Sequence, residues 1–186
     1  FMPKADDLPI LRTKLLIPEL QYNYVPREAL LNALNERNFG DVVLICGPAG
    51  YGKTILAAEW ARMQGTSAAW LSLEDSDNDG DSFTRYLAAA LEQTLKDDQL
   101  GVQIQNEITG NNPGNTLHAL MVQLINLTTQ DDVRVTLVLD NFQLITQECI
   151  LGEIAFLLNH FPPNLRLFLL TRKEPPFSLS RLRAKA

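Results

Sequence analysis

Of the 186 residues only two are cysteine and two are histidine. Cys46 and Cys149 lie far apart inside apolar patterns, which excludes a disulfide framework or a cysteine-rich metal centre. Both read as buried packing thiols in a reducing compartment. His118 and His160 fall in helical patterns and read as helix-surface or satisfied core residues. No window approaches about 18 uninterrupted apolar residues, and the first residues lack the charged-then-apolar layout of a secretion signal. The expectation is a soluble, cytoplasmic chain. Excess positive charge is missing as well: a net charge of −6 excludes a surface that grips nucleic acid all over. Basic residues gather only at the end, where Arg166, Arg172, Lys173, Arg181, Arg183 and Lys185 face a single acid, Glu174. The terminal RLRAKA reads as a solvated run leading onward.

What is present is a 46% apolar chain, enough for one substantial core. Residues 1–24 form an irregular, Pro-rich N-terminal segment, with TKLLIP (13–18) as a short extended piece. Residues 25–186 form one domain. Val25-Pro26-Arg27 opens a helix striped by Leu30, Leu31 and Leu34. VVLIC (42–46) has the unbroken apolar pattern of a strand buried on both faces, and a helix follows from about Gly52 to Met63. SAAWLSL (67–73) is a second strand. The acidic EDSDNDGD (74–81) is a loop, with Asp79 or Asp81 capping the next helix. Residues 97–114 are polar and turn-rich, hence a loop. Asn115 or Thr116 caps a helix carrying Leu117, Leu120, Met121, Leu124 and Leu127. VTLVLD (135–140), GEIAFLLNHF (152–161) and LRLFLL (165–170) complete the alternation as strand, helix and strand, with Trp60 and Trp70 in the core. Strands alternating with helices predict an α/β fold, a parallel sheet sandwiched between helices. No fifth strand is legible.

Between the first strand and its helix stands GPAGYGKT (47–54). GxxxxGK[ST] in that context is the phosphate-binding P-loop. The loop must wrap a polyphosphate with its own N–H groups, and side chains at Gly47, Gly50 and Gly52 would obstruct that approach. The helix beyond aims unpaired N–H groups and its positive dipole end at the same anion. Gly47, Pro48, Ala49, Gly50, Tyr51, Gly52, Lys53, Thr54 and Ile55 are therefore the candidate nucleotide contacts. Lys53 reaches the β- and γ-phosphates and Thr54 takes Mg²⁺. Ligands of parallel sheets collect beyond the carboxyl ends of the strands. There VTLVLD ends in Asp140, the layout of a Walker B strand holding Mg²⁺ through water, and LFLLTR ends in Arg172, placed to read a γ-phosphate.

The blocks VVLICGPAGYGKTILAAEWA, AAWLSLEDSDNDGDSFTRYLAAAL, LVLDNFQLI and HFPPNLRLFLLTRKEPPFSLSRLRA together resemble more than a generic P-loop. In order and spacing they are similar to the STAND-class, MalT-like ATP-dependent transcriptional activators, often LuxR-type at their DNA-binding end. The resemblance runs from about Thr13 to the last residue. It implies a RecA/AAA-like P-loop fold and an ATP/ADP switch. It also implies adenine-side contacts from the Thr13–Arg27 segment, chiefly Val25 and Arg27, and a sensor role for Arg172. By the same resemblance, a winged helix, a helical sensor array and a DNA-binding end lie outside these residues, as partners of this domain. Self-association belongs to the ATP state, and this stretch makes no direct contact with DNA. Two positions depart from the family. Asn141 stands where a second acid usually polarises the attacking water, and an amide can orient water but cannot accept its proton. Ile55 replaces a second Thr, a packing change.

Two other readings share these residues. A small-molecule kinase would need an acceptor site and an Arg-bearing lid, yet 97–114, the only long candidate, contains no Arg or Lys. A P-loop relic without ligand would keep the loop and lose the binding. Adenine rather than guanine is expected, because no guanine-reading Asn-Lys-x-Asp follows and the family suggests ATP.

Overall fold

Apolar runs separated by helical periodicity condense into a single parallel sheet. The computed structural model describes residues 9–20, 25–65, 67–95, 116–130 and 132–177. The strands are β1 (Val42–Cys46), β2 (Ala68–Ser72), β3 (Val135–Asp140) and β4 (Leu165–Thr171). The helices are α1 (Glu28–Asn35), α2 (Lys53–Met63), α3 (Gly80–Leu95), α4 (Thr116–Thr129) and α5 (Glu148–Asn159). The strand order is β1-β4-β3-β2, and all three pairings are parallel.

The period-two geometry of a strand sorts the side chains into two cores. Val42 and Leu44, Ala69 and Leu71, Leu137 and Leu139, and Leu165, Leu167 and Leu169 face the layer that includes α3, α4 and α5. Val43, Trp70, Val138, Phe168 and Leu170 face Leu31, Leu34, Leu56 and Trp60 of α1 and α2. Trp60 stacks tilted on Phe168 with ring centroids 4.6 Å apart, and both tryptophans are core residues as expected. A one-residue slip of β4 would exchange every contact between the two layers, so its register is strongly specified.

Several expectations need correction. β1 is packed on both faces but not fully buried: it is one of the two edge strands among the described residues, and of its five positions only Val43 is buried. The doubly covered strands are β3 and β4, buried at every position. An apolar run signals a strand without saying where in the sheet it pairs. Cys46 and Cys149 are free and exposed, not buried packing thiols. Cys46 closes the edge strand and Cys149 faces outward in the first turn of α5. α1 begins at Glu28, two residues past Pro26, because Arg27 holds a non-helical φ of −101° and ψ of 73°. α5 begins at Glu148, four residues before the expected start. Its buried stripe Ile150, Ile154 and Leu157 needs that earlier turn. Of the expected caps, Asp79 accepts the Ser82 N–H at 3.0 Å at the start of α3, while Asp81 and Thr116 lie inside their helices. The expected loop at 97–114, Asn115 and the terminal RLRAKA lie outside the described residues.

Within TKLLIP the chain is not extended at first but forms a 3₁₀ turn over Arg12–Leu15. The reason is geometric. Lys14 and Leu15 are both buried, and an extended chain would send neighbours to opposite faces. Leu15 enters the larger core. Lys14 forms a buried ion pair with Asp77 and lies over the Tyr86 ring, 4.0 Å from its centroid. Asp77 also accepts the Glu74 N–H at 2.8 Å. Its neighbour Asn78 accepts the N–H groups of Thr146 and Gln147, at 2.8 and 2.9 Å, as α5 begins. The Asp77-Asn78-Asp79 run is thus three fasteners in a row, to the N-terminal segment, α5 and α3.

Arg166, counted from sequence among the terminal basic residues, is a buried residue at the start of β4. Its guanidinium stands 4.5 Å from the Phe39 ring centroid and 5.0 Å from that of Trp60. It donates to the carbonyls of Arg37 and Asn38 at 3.1 and 3.2 Å. Burial lowers its pKa, and the nearby Asp41 opposes the shift. This cluster closes the amino end of the sheet; the other end is open.

Candidate nucleotide-binding site

At the carboxyl end of β1 the loop turns through left-handed backbone at Gly50 and Gly52, with φ of +80° and +71°. Only glycine adopts these values without strain. Gly47 has no such requirement: a Cβ there would meet only Tyr51 Cβ, at 4.0 Å. Within the protein a side chain at Gly47 has room, so an obstruction there could only be to something held in the loop.

Lys53 and Thr54 open α2. The Lys53 ammonium donates to the carbonyls of Gly47 and Pro48, at 2.7 and 2.8 Å, folding over its own loop. The Thr54 hydroxyl donates to Asp140 Oδ2 at 2.9 Å. Asp140, at the end of β3, is 3% exposed, and its Oδ1 accepts the Asn141 N–H at 2.9 Å. Burial raises the Asp140 pKa, while the Thr54 and Asn141 hydrogen bonds and the Lys53 charge pull it back. Asn141 stands at φ +59°, the non-glycine positive φ among the described residues. Asparagine tolerates that region better than most residues. The chain leaves β3 there and enters a 3₁₀ turn over Phe142–Leu144.

These groups surround a cavity of about 540 Å³ lined by Ala49, Gly50, Gly52, Lys53, Thr54, Ile55, Asn141 and Arg172. The sheet order brings them together, since β4, with Arg172 just past its end, lies between β1 and β3. Arg27 belongs to the same neighbourhood: its guanidinium donates to the Tyr51 carbonyl at 2.7 Å and passes beside Gly52. Val25 does not join the cavity lining and is 77% exposed, and the Tyr51 side chain is 62% exposed. Gln143 was not expected: its side-chain oxygen accepts the Arg172 N–H at 3.1 Å. No motif marks it, because the contact joins residues 29 positions apart.

Thr54 and Asp140 suit Mg²⁺. They are hard oxygen donors side by side, one a buried carboxylate. No group of three or more His, Cys, Asp or Glu among the described residues could form a metal cage by itself. A cation here would share its remaining positions with phosphate oxygens and water, which is how Mg²⁺ is usually held.

A glycine loop from a parallel strand into a helix, with an acid-ended strand two places across the sheet, defines the P-loop nucleoside triphosphatase class. It is the version in which one strand is inserted between those two. The AAA ATPase domain family matches residues 26–170, and the chain belongs to that family. That membership implies nucleotide binding, typically with Mg²⁺.

Along its sequence the chain is similar to the HTH-type transcriptional regulator MalT of Yersinia enterocolitica serotype O:8 / biotype 1B. The two are 36% identical over 177 residues, 95% of this chain and 19% of the relative. The proteins of that name from Serratia proteamaculans and Vibrio campbellii are 34% and 31% identical, over 95% and 93% of this chain. The chain thus spans 19% of the length of the curated relatives it matches. Among solved structures it is similar to C. elegans PCH-2, with a TM-score of 0.36 and 13% identity over 86% of this chain and 39% of that one. No helix among the described residues is long and apolar enough to cross a membrane.

Proposed function

We propose that this chain is the ATP/ADP-binding switch domain of a MalT-like transcriptional regulator acting in the cytoplasm. The observation that carries the reading is the convergence of Lys53, Thr54, Asn141 and Arg172 on one cavity at the glycine loop, with Asp140 bonded to Thr54 behind it. In this reading Lys53 leaves the Gly47 and Pro48 carbonyls for the β- and γ-phosphates. Thr54 and Asp140 hold Mg²⁺, Asp140 through water. The exposed Arg172 reads the γ-phosphate. Arg27 and Val25 approach from the adenine side, and Arg27 already rests on the loop backbone. The triphosphate state favours self-association and transcription activation, and the diphosphate state favours rest. The sensor and DNA-binding parts of the regulator are this domain's partners, and this domain makes no direct contact with DNA.

Asn141 makes hydrolysis slow. In this reading its amide orients the attacking water but cannot accept its proton. Equilibrium dialysis with labelled ATP and Mg²⁺ tests binding: the parent retains label and Lys53→Ala does not. Retention by neither protein, with ADP as well as ATP, removes the reading. Single-turnover hydrolysis of Asn141→Asp tests the second part. Aspartate also tolerates left-handed backbone, so the exchange isolates the base. A general base contributes roughly 10²–10⁴-fold, so the variant should be much faster. Brisk turnover by the parent would refute the slow-hydrolysis assignment.

A further inference from the structure

Arg172 follows β4 directly, so its side chain depends on backbone that is no longer part of the sheet. The C=O of Thr171 points toward β1 and accepts the Gly47 N–H at 3.2 Å. In a parallel strand successive residues turn their polar groups to opposite edges, so the Arg172 N–H faces β3. There the ladder has run out. The last register pair is Leu139 with Leu169, and β3 ends at Asp140, where Asn141 takes the chain away through its left-handed φ. Continued pairing would have supplied a backbone carbonyl to this N–H. In its place stands the Gln143 side-chain oxygen, at 3.1 Å.

The turn that carries Gln143 is itself held firmly. Leu144 N–H donates to the Asn141 carbonyl at 3.0 Å and Ile145 N–H to the Phe142 carbonyl at 3.1 Å. Phe142 is 1% exposed and anchors the turn in the core. Gln143 is partly buried and lines a neighbouring cavity of about 450 Å³. Its side-chain oxygen thus links that hollow's lining to Arg172, which lines the nucleotide cavity. Asn141 and Gln143 belong to one short turn, two positions apart.

We infer that Gln143 is a positioning residue for Arg172, extending the sheet by one side-chain hydrogen bond and so setting where the guanidinium meets the third phosphate. The inference rests on the nucleotide-switch reading above. Its readout is the discrimination between nucleotides, the ratio of Kd for MgADP to Kd for MgATP, measured by calorimetric titration. Gln143→Met keeps the length and removes the acceptor, and should lower that ratio by roughly two- to tenfold, the range of one hydrogen bond. Gln143→Asn, which withdraws the oxygen by one methylene, should do the same and serves if the methionine variant does not fold. In an Arg172→Leu background both substitutions should leave the ratio unchanged. A merely structural role would lower the melting temperature in both backgrounds and leave the ratio alone. The inference is overturned if the parent binds and discriminates while both variants discriminate equally well. It is equally overturned if the variants change the ratio without Arg172, or if the parent binds both nucleotides alike. A parent that binds neither nucleotide overturns the switch reading and this inference with it.

Discussion

The carboxylate of Asp140 is held in an unfavourable place, 3% exposed at the end of a buried strand, and burial raises its pKa. The folded state therefore favours the protonated form more than the unfolded chain does. With no cation or nucleotide bound, the ionised group costs stability above the folded pKa. That cost fades as pH falls through the folded pKa toward the unfolded one. Asp140→Asn should accordingly melt higher than the parent at pH 7, and the difference should vanish in acid. The amide can keep both contacts: its oxygen accepts the Asn141 N–H and its NH₂ donates to the Thr54 hydroxyl, which can turn to accept. The variant should gain little stability from MgATP. Melting curves from pH 4 to 8 decide it; a lower Tm for the variant at pH 7 would show that the carboxylate is better solvated than its burial implies. Lys14 presents the opposite balance. Its ammonium and Asp77 are both buried and paired, so Lys14→Met leaves a charge without its partner. Removing one member of such a pair costs about 3–5 kcal/mol, readable as a lower urea midpoint. A loss under about 1 kcal/mol would mean that the Glu74 N–H and Ser82 hydroxyl suffice to hold Asp77.

At the scale of elements the glycine loop is where local strain and ligand geometry coincide. Gly52 holds φ +71°, and the nearest atom to a Cβ built there is an Arg27 guanidinium nitrogen at 3.5 Å, ordinary contact. The space is free and the dihedral is not. Gly52→Ala should cost about 1–2 kcal/mol through backbone strain and weaken MgATP binding as the loop relaxes, while Gly47→Ala should leave unliganded stability nearly unchanged. Paired melts and titrations check both; equal melting points for Gly52→Ala and the parent would contradict the strain argument. This loop was legible because its chemistry is contiguous, eight residues read in order. The positions of Asp140 and Arg172 at the carboxyl ends of β3 and β4 were legible because each closes an apolar run. The edge position of β1 was not, since apolarity fixes neither strand order nor neighbours. The turn in TKLLIP was not, because its cause is Asp77, 63 residues from Lys14. Gln143 was hidden for the same reason: it substitutes for a strand that ends, and only the register of β3 on β4 reveals the gap.

For the whole molecule the decisive feature is strand order. Placing β4 between β1 and β3 sets Lys53, Thr54, Asn141 and Arg172 around one hollow, although Lys53 and Arg172 come from opposite ends of the domain. A ligand there ties together the ends of three strands, and the amino ends are already closed by Arg166 between Phe39 and Trp60. Nucleotide binding should therefore act on global stability and not on the loop alone. At 100-fold over its Kd, MgATP or MgADP should add about 2.7 kcal/mol, a Tm rise of roughly 5–11 °C for a domain of this size. Lys53→Ala should show none of it. Hydrogen exchange should slow through β1, β3 and β4 as sheet segments, not just at 47–54, because the last amides to open do so by global unfolding. Protection confined to the loop, with an unmoved melting point, would mean that the strand ends are not energetically joined through the cavity and that the domain cannot relay its nucleotide state through the sheet.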